Sequence, residues 1–264
     1  MDNLKSFKKK SEFIKLVFKI KSKLNILFSK KNSLRYSTKK DFQIDPVTKL
    51  DISAEKIIRK EISRIYPDHN IKGEELKNKN KFSKFTWIID PIDGTKSLIL
   101  GLPTWSCLIG LYYENKCILS FAYFPILNKV YLAYENKSYL FENKIKKVLK
   151  CNKNCKIKDM KLAINTLHSL RSKRVLEFIM NFKGFFKVTG VDAYNFCMIS
   201  EGKYDVLVES GLKLVDILPI VLIVKNSGAI ITDWNGGENF NLGKIIVAPN
   251  KKIHSYFIKI LKAY

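Results

Sequence analysis

Trp87-Ile88-Ile89-Asp90-Pro91-Ile92-Asp93-Gly94-Thr95 decides how the rest of the chain is read. Residues 85–89 are a run of β-branched and aromatic side chains, which predicts a buried strand ending at Asp90. Pro91 and Gly94 then enforce a sharp turn, because proline cannot donate to a ladder and glycine admits backbone angles that other residues resist. Two carboxylates, Asp90 and Asp93, converge at this strand end with the carbonyl of Ile92 between them. Hard divalent cations such as magnesium take several oxygen ligands in a near-octahedral array, so the turn reads as part of a metal site.

Magnesium is seldom held by one turn, so further carboxylates should arrive from elsewhere. Glu74 and Glu75, on a loop that follows Gly73, are candidates, and so is Asp216 at the start of a helix. Each also has a plainer reading, since an acidic loop is usually solvated and an aspartate at a helix start usually caps it.

Outward from this centre, apolar residues at helical spacing predict a first helix over 13–28, with Lys15, Lys19 and Lys23 on another face. That pattern suits a helix docked on the body of the fold, and less well one lying on a membrane surface. A polar run over 29–45 leads to a second helix from residue 52, stopped by Pro67. Three apolar runs at 107–113, 117–124 and 130–134, joined by turn residues, predict an antiparallel meander. Residues 1–150 thus read as an α+β unit carrying the metal-binding loops.

From residue 151 the texture alternates, as in an α/β unit. Strands are expected at 161–164, near Phe186, and at 204–209, 229–233 and 245–248. Helices are expected at 173–182, 193–200, 216–226 and after Asn250. This second unit, 151–264, supplies Asp216 and the residues that select substrate, and no low-complexity linker separates the two.

With 264 residues, 46% of them hydrophobic, the chain is long enough to bury a sizeable core without disulfides. Its five cysteines follow no disulfide framework and its three histidines are scattered, which favours a reducing, cytoplasmic setting and argues against a zinc site. No stretch is long and apolar enough to span a bilayer. The 48 Lys and Arg against 24 Asp and Glu give a net charge of +24, which raises a basic nucleic-acid-binding regulator as another class. The lysines form no recognisable RNA-binding motif, however, and dispersed lysines are usually solvated surface.

Taken together, Gly73-Glu74-Glu75, Trp87 to Thr95 and the distal Asp216 resemble the hallmarks of the inositol monophosphatase-like family. The resemblance extends to Val47-Thr48 with Asp51, Tyr66-Pro67-Asp68-His69, Gly101-Leu102-Pro103 with Trp105, Gly190 to Ala193 and Gly228 to Gly236. It implies a layered αβαβα sandwich and a magnesium-dependent phosphatase inhibited by lithium, often a homodimer. It further implies two or three Mg2+ ions held by Glu74, Asp90, the Ile92 carbonyl, Asp93 and Asp216. Glu74, Thr95 and Asp51 would form the catalytic set, Thr95 and Asp51 helping to hold and polarise the attacking water. The backbone amides of Gly94 and Thr95 would cradle phosphate oxygens.

Within the family, Gly190-Val191-Asp192-Ala193-Tyr194 and the stretch from Glu209 to Asp216 look most like the histidinol-phosphate phosphatase branch. Asp192 and Glu209 would then pair with the cationic groups of histidinol phosphate, linking the enzyme to histidine biosynthesis. The alternative substrates are inositol 1-phosphate and sugar or nucleotide bisphosphates, and the alternative role for Asp192 is a helix cap. Val215 replaces the usual aromatic residue before the distal Asp, and Asp45-Pro46 stands where Ser-Pro is common.

Overall fold

The computed structural model describes residues 10–29, 36–38, 46–167, 170 and 172–262. Most of the polar run over 29–45, with the Asp45 of Asp45-Pro46, lies outside these residues.

Seven strands form the first sheet: β3 (Asn70–Gly73), β4 (Phe85–Asp93), β5 (Ser106–Tyr113), β6 (Lys116–Phe124), β7 (Lys129–Tyr134), β8 (Lys137–Glu142) and β9 (Ile145–Val148), in that spatial order. Only β3 and β4 run parallel; every other pair is antiparallel. The second sheet has the order β11-β10-β12-β14-β13, built from β10 (Lys161–Ile164), β11 (Phe185–Val188), β12 (Val206–Glu209), β13 (Ile230–Asp233) and β14 (Ile245–Ala248). A short antiparallel pair, β1 (Tyr36–Thr38) and β2 (Pro46–Thr48), stands apart.

The helices are α1 (Lys10–Phe28), α2 (Lys49–Ile65), α3 (Thr95–Ile99), α4 (Lys173–Met180), α5 (Asp192–Ser200), α6 (Leu214–Ile217), α7 (Val221–Asn226) and α8 (Lys251–Leu261). Three apolar clusters show how the layers stack. On one outer face, Phe13, Leu16, Val17, Ile20 and Leu24 of α1 and Ile58 and Ile62 of α2 pack on Trp87, Ile109 and Phe121. In the middle, Phe196, Ile220 and Val224 from α5 to α7 lie between Leu108, Ala122 and Phe124 of the first sheet and Leu207 and Val247 of the second. On the far face, Val175, Ile179, Ile253 and Phe257 of α4 and α8 cover Leu162, Val208 and Ile246. The result is a five-layer αβαβα sandwich, and α1 is a docked helix whose apolar stripe is spent on the core. None of the described helices is long and apolar enough to cross a membrane.

Four sequence expectations are revised. The strand expected to stop at Asp90 runs on through Asp93. The Gly73 loop is the end of a strand, and the meander gains β8 and β9. The helix expected over 216–226 is broken into α6 and α7, with Pro219 between them. Proline has no N–H to donate and its ring collides with the preceding turn, so one continuous helix cannot pass through it. The break is docked on β5: the Tyr112 hydroxyl donates to the Leu218 carbonyl at 2.9 Å, and a Cβ on Gly110 would fall 2.8 Å from Pro219 Cα.

Candidate active site

Residues three apart on a regular strand face opposite sides, so Asp90 and Asp93 need a local device to converge. β4 supplies one. Asp90 pairs with Leu108 and Asp93 with Ser106, so three residues of β4 advance against two of β5. This bulge, centred on Pro91-Ile92, turns both carboxylates to one side. Ile92 N–H closes it by donating to Asp90 Oδ1 at 3.0 Å.

β3 lies parallel to β4 with Gly73 opposite Ile89, so Glu74, the first residue past the end of β3, comes beside Asp90 of β4. The broken helix brings the third acid: Asp216 in α6, whose Oδ2 accepts the Lys213 N–H at 2.7 Å. Carboxylate oxygens of Glu74, Asp90 and Asp216 come within 4.8 Å of one another. Asp93 lies beside them, its Oδ2 accepting from Ser106 Oγ at 3.3 Å and from the Ala193 N–H of α5 at 3.2 Å.

Behind the acids, Gly94 takes a left-handed conformation (φ 81°) and starts α3. A Cβ at that position would lie 3.0 Å from Val191 Cγ1, so both conformation and space favour glycine. The Thr95 hydroxyl is 3.2 Å from both Asp51 Oδ1 and the Ile92 carbonyl. Asp51 has two duties. Its Oδ2 accepts from the N–H of Thr48 at 2.8 Å and from its hydroxyl, closing a capping box at the start of α2, while Oδ1 faces Thr95.

Asp192 is the first residue of α5, yet its carboxylate accepts from Asn165 Nδ2 at 2.5 Å rather than capping the helix. Glu209, at the end of β12, is fully buried. Its Oε1 accepts from Asn195 Nδ2 at 3.3 Å and its Oε2 has no hydrogen-bond partner.

The electrostatics follow from this crowding. Burial, together with Glu74, Asp93 and Asp216, pushes Asp90 well above the usual carboxylate range. Asp93 is pushed up in the same way by burial and by Asp192 and Asp216. Asp216 rises to about 8, through burial and then Asp192 and Glu74, and Asp192 rises to about 6 through burial. Glu209 is raised by burial and by Asp192. Among the described residues Lys213 borders the group, its Nζ 2.8 Å from Glu74 Oε1. The donors are all hard oxygens on rigid strand and helix ends, and their mutual repulsion is what an added divalent cation relieves; the residues fit magnesium.

Glu74, Asp90, Asp93, Asp216, Thr95, Asp51, Asp192 and Glu209 are thus brought together, with Glu209 on the buried side of the group, whereas Glu75 is not among the clustered carboxylates and its backbone N–H is bound to Glu55. Sequence reasoning passed over Ser106, Asn165 and Asn195, and it read Lys213 only as part of the stretch from Glu209 to Asp216.

Comparison with known proteins agrees with this geometry. The profile of the inositol monophosphatase family matches residues 9–264. A fructose-1,6-bisphosphatase/inositol-1-monophosphatase of Aquifex aeolicus is 30% identical over 271 residues, covering 100% of this chain and 98% of its own. A protein named Nus factor SuhB, from Haemophilus influenzae, is 30% identical over 223 residues, covering 82% of each. Among solved structures, the IMPase of Thermotoga maritima superposes with a TM-score of 0.80 at 26% identity, covering 100% of this chain and 98% of that one. A profile match from one end of the chain to the other, over a fold shared layer for layer, means that the chain belongs to the inositol monophosphatase family.

Proposed function

We propose that the protein hydrolyses the phosphate monoester of a small polyol, inositol 1-phosphate or a sugar phosphate, in a magnesium-dependent reaction. The observation that carries this reading is the convergence of Glu74, Asp90 and Asp216 within 4.8 Å, beside Asp93. Phosphatase activity follows from the family, and the polyol from the relatives named for inositol phosphate and fructose bisphosphate.

Glu74, Asp90, Asp93, Asp216 and the Ile92 carbonyl are the proposed ligands. Magnesium bound there supplies an activated water and charge neutralisation at the phosphate. The chain's own residues do the rest. Thr95 donates its hydroxyl proton to Asp51 Oδ1, which leaves the Thr95 oxygen free to accept from the attacking water. Burial raises the proton affinity of Asp51 despite its bonds to Thr48, so Asp51 is suited to take the proton that Thr95 passes on. The N–H groups of Gly94 and Thr95, at the start of α3, are proposed to hold phosphate oxygens.

A second reading, histidinol phosphate, is favoured by one observation: Glu209 Oε2 is buried without a partner close to Asp192, where a cationic amine would satisfy both acids. Polyol hydroxyls would satisfy Glu209 as well. The deciding experiment measures phosphate release with magnesium from inositol 1-phosphate, fructose 1,6-bisphosphate and histidinol phosphate, with Asp93→Asn as the blank. Preference for either polyol phosphate supports the first reading. Preference for histidinol phosphate transfers the assignment to the second, and release from none of the three defeats both.

A further inference from the structure

Asp51, Glu55 and Arg59 recur every four residues and so share one face of α2. Asp51 addresses Thr95; the next two address the strand end that carries Glu74. Glu55 is fully buried, and its Oε2 accepts the Glu75 N–H at 2.7 Å. Its Oε1 accepts from Arg59 Nε at 2.6 Å. Arg59 in turn donates from Nη2 to the Leu76 carbonyl at 3.0 Å and from Nη1 to the Lys77 carbonyl at 3.1 Å. Three successive residues just past Glu74 are thus gripped by one carboxylate and one guanidinium.

Gly73 is part of the same device. A Cβ there would stand 2.0 Å from Glu55 Oε1 and 2.9 Å from Arg59 Nη2, so the pair reaches the main chain only because residue 73 has no side chain. An ion pair that served α2 alone would need no such approach to another segment. The guanidinium is planar with its donors in a fixed fork, and a main chain held at both N–H and C=O groups over three residues has little freedom to rotate.

We propose that Glu55 and Arg59 are positioning residues for Glu74, clamping the main chain of residues 75–77 so that the Glu74 carboxylate is presented to Asp90 and Asp216. The inference rests on reading those three acids as metal ligands. It predicts a specific split: loosening the clamp weakens metal binding, since outer partners of metal ligands are worth about 10–100-fold in affinity. The reaction at saturating metal survives, because Thr95, Asp51 and the phosphate-facing backbone are untouched.

The test is Mn2+ binding by the full chain, followed by the electron paramagnetic resonance of free Mn2+, together with kcat at saturating Mg2+. In Glu55→Gln and in Arg59→Lys the Mn2+ dissociation constant should rise about tenfold, with kcat within about threefold of the parent, on the scale of a single weak contact. A folded Glu55→Gln protein with parental Mn2+ affinity, or one that loses kcat while keeping affinity, overturns the proposal. Where Glu55→Gln does not fold, Arg59→Lys, which keeps the charge and removes only the fork, decides by the same criterion. Glu74→Gln is the control: if it too binds Mn2+ as the parent does, the ligand assignment falls and takes the clamp with it. Loss of binding in Glu74→Gln beside parental binding in both clamp variants sinks the clamp alone.

Discussion

Glu61 and Asp90 are both buried, but under opposite conditions. At the seam between α1 and α2, the Glu61 carboxylate is 2% exposed and surrounded by cations: Lys23 in hydrogen-bond contact, Lys19 at 3.3 Å and Arg64 at 3.6 Å. The bond from Lys23, above all, holds Glu61 below the usual carboxylate range. In the crevice, Asp90 is equally buried but has acids for neighbours, and its proton affinity rises. Among the described residues, two lysines and an arginine close round Glu61 at the seam, whereas the group around Asp90 is bordered by Lys213, which is paired with Glu74. Where the protein needs a carboxylate to hold helices together it provides the cation itself; where it leaves acids facing acids, the cation is to come from outside.

The largest expected effect breaks or keeps this contrast directly. Asp90→Asn and Asp93→Asn should each lower magnesium-dependent phosphate release by at least about a thousandfold, while the metal-free protein melts at the same temperature or higher, because the cost of burying a carboxyl among other acids has gone. Retained turnover in either variant would falsify its assignment as a ligand. At the seam the ledger reverses. Glu61→Gln should leave kcat unchanged and reduce unfolding free energy by about 1–2 kcal/mol, a buried-pair loss discounted for the half-exposed lysines; urea titration reads it.

Lithium sharpens the crevice side. Inhibition at millimolar concentration is expected of the proposed arrangement, and indifference to lithium would argue for a different set of ions. The smallest effect concerns a half-buried neutral group near the seam. His69 Nδ1 accepts from Trp87 Nε1 at 3.0 Å, its ring stacks between Tyr66 and Phe85, and burial lowers it from 6.5 to about 4. The unfolded chain therefore binds this proton first, so the stability it contributes is complete above pH about 6.5 and is lost as pH falls toward 4. Urea midpoints at pH 7 and pH 5 should differ less in His69→Gln than in the parent; equal differences would remove His69 from the account.

The crevice was legible in the sequence because its parts are short and strongly typed. Asp90-Pro91-Ile92-Asp93-Gly94 carries two acids, a ladder breaker and a left-handed glycine in five residues, and Gly73-Glu74 and Asp216 are one turn or one strand end each. What the sequence hid was relational. That residues 90 and 93 share a side depends on a bulge set by the register with Leu108 and Ser106, two residues of another strand. β3 was missed because Asn70-Ile71-Lys72-Gly73 has a single apolar residue, and the β8–β9 hairpin because every residue of β9 is exposed. Pro219 was visible, but a run of Ile, Leu and Val on both sides of it outweighed the break. Glu55 and Arg59 drew no notice in the sequence, since their i,i+4 spacing is that of any helical ion pair and only the backbone they hold sets them apart.

The middle helix layer sets a timetable for making the protein. The face of the first sheet that Leu108, Ala122, Phe124 and Tyr131 present is covered by α5 to α7, and α7 ends at Asn226, well after the last strand of that sheet has been made at Val148. At a synthesis rate of about 5–20 residues per second, that apolar face stays bare on the ribosome for several seconds. Arrested chains that stop short of α5 should therefore be captured by chaperones that recognise apolar surface, and chains long enough to expose α7 outside the exit tunnel should be released.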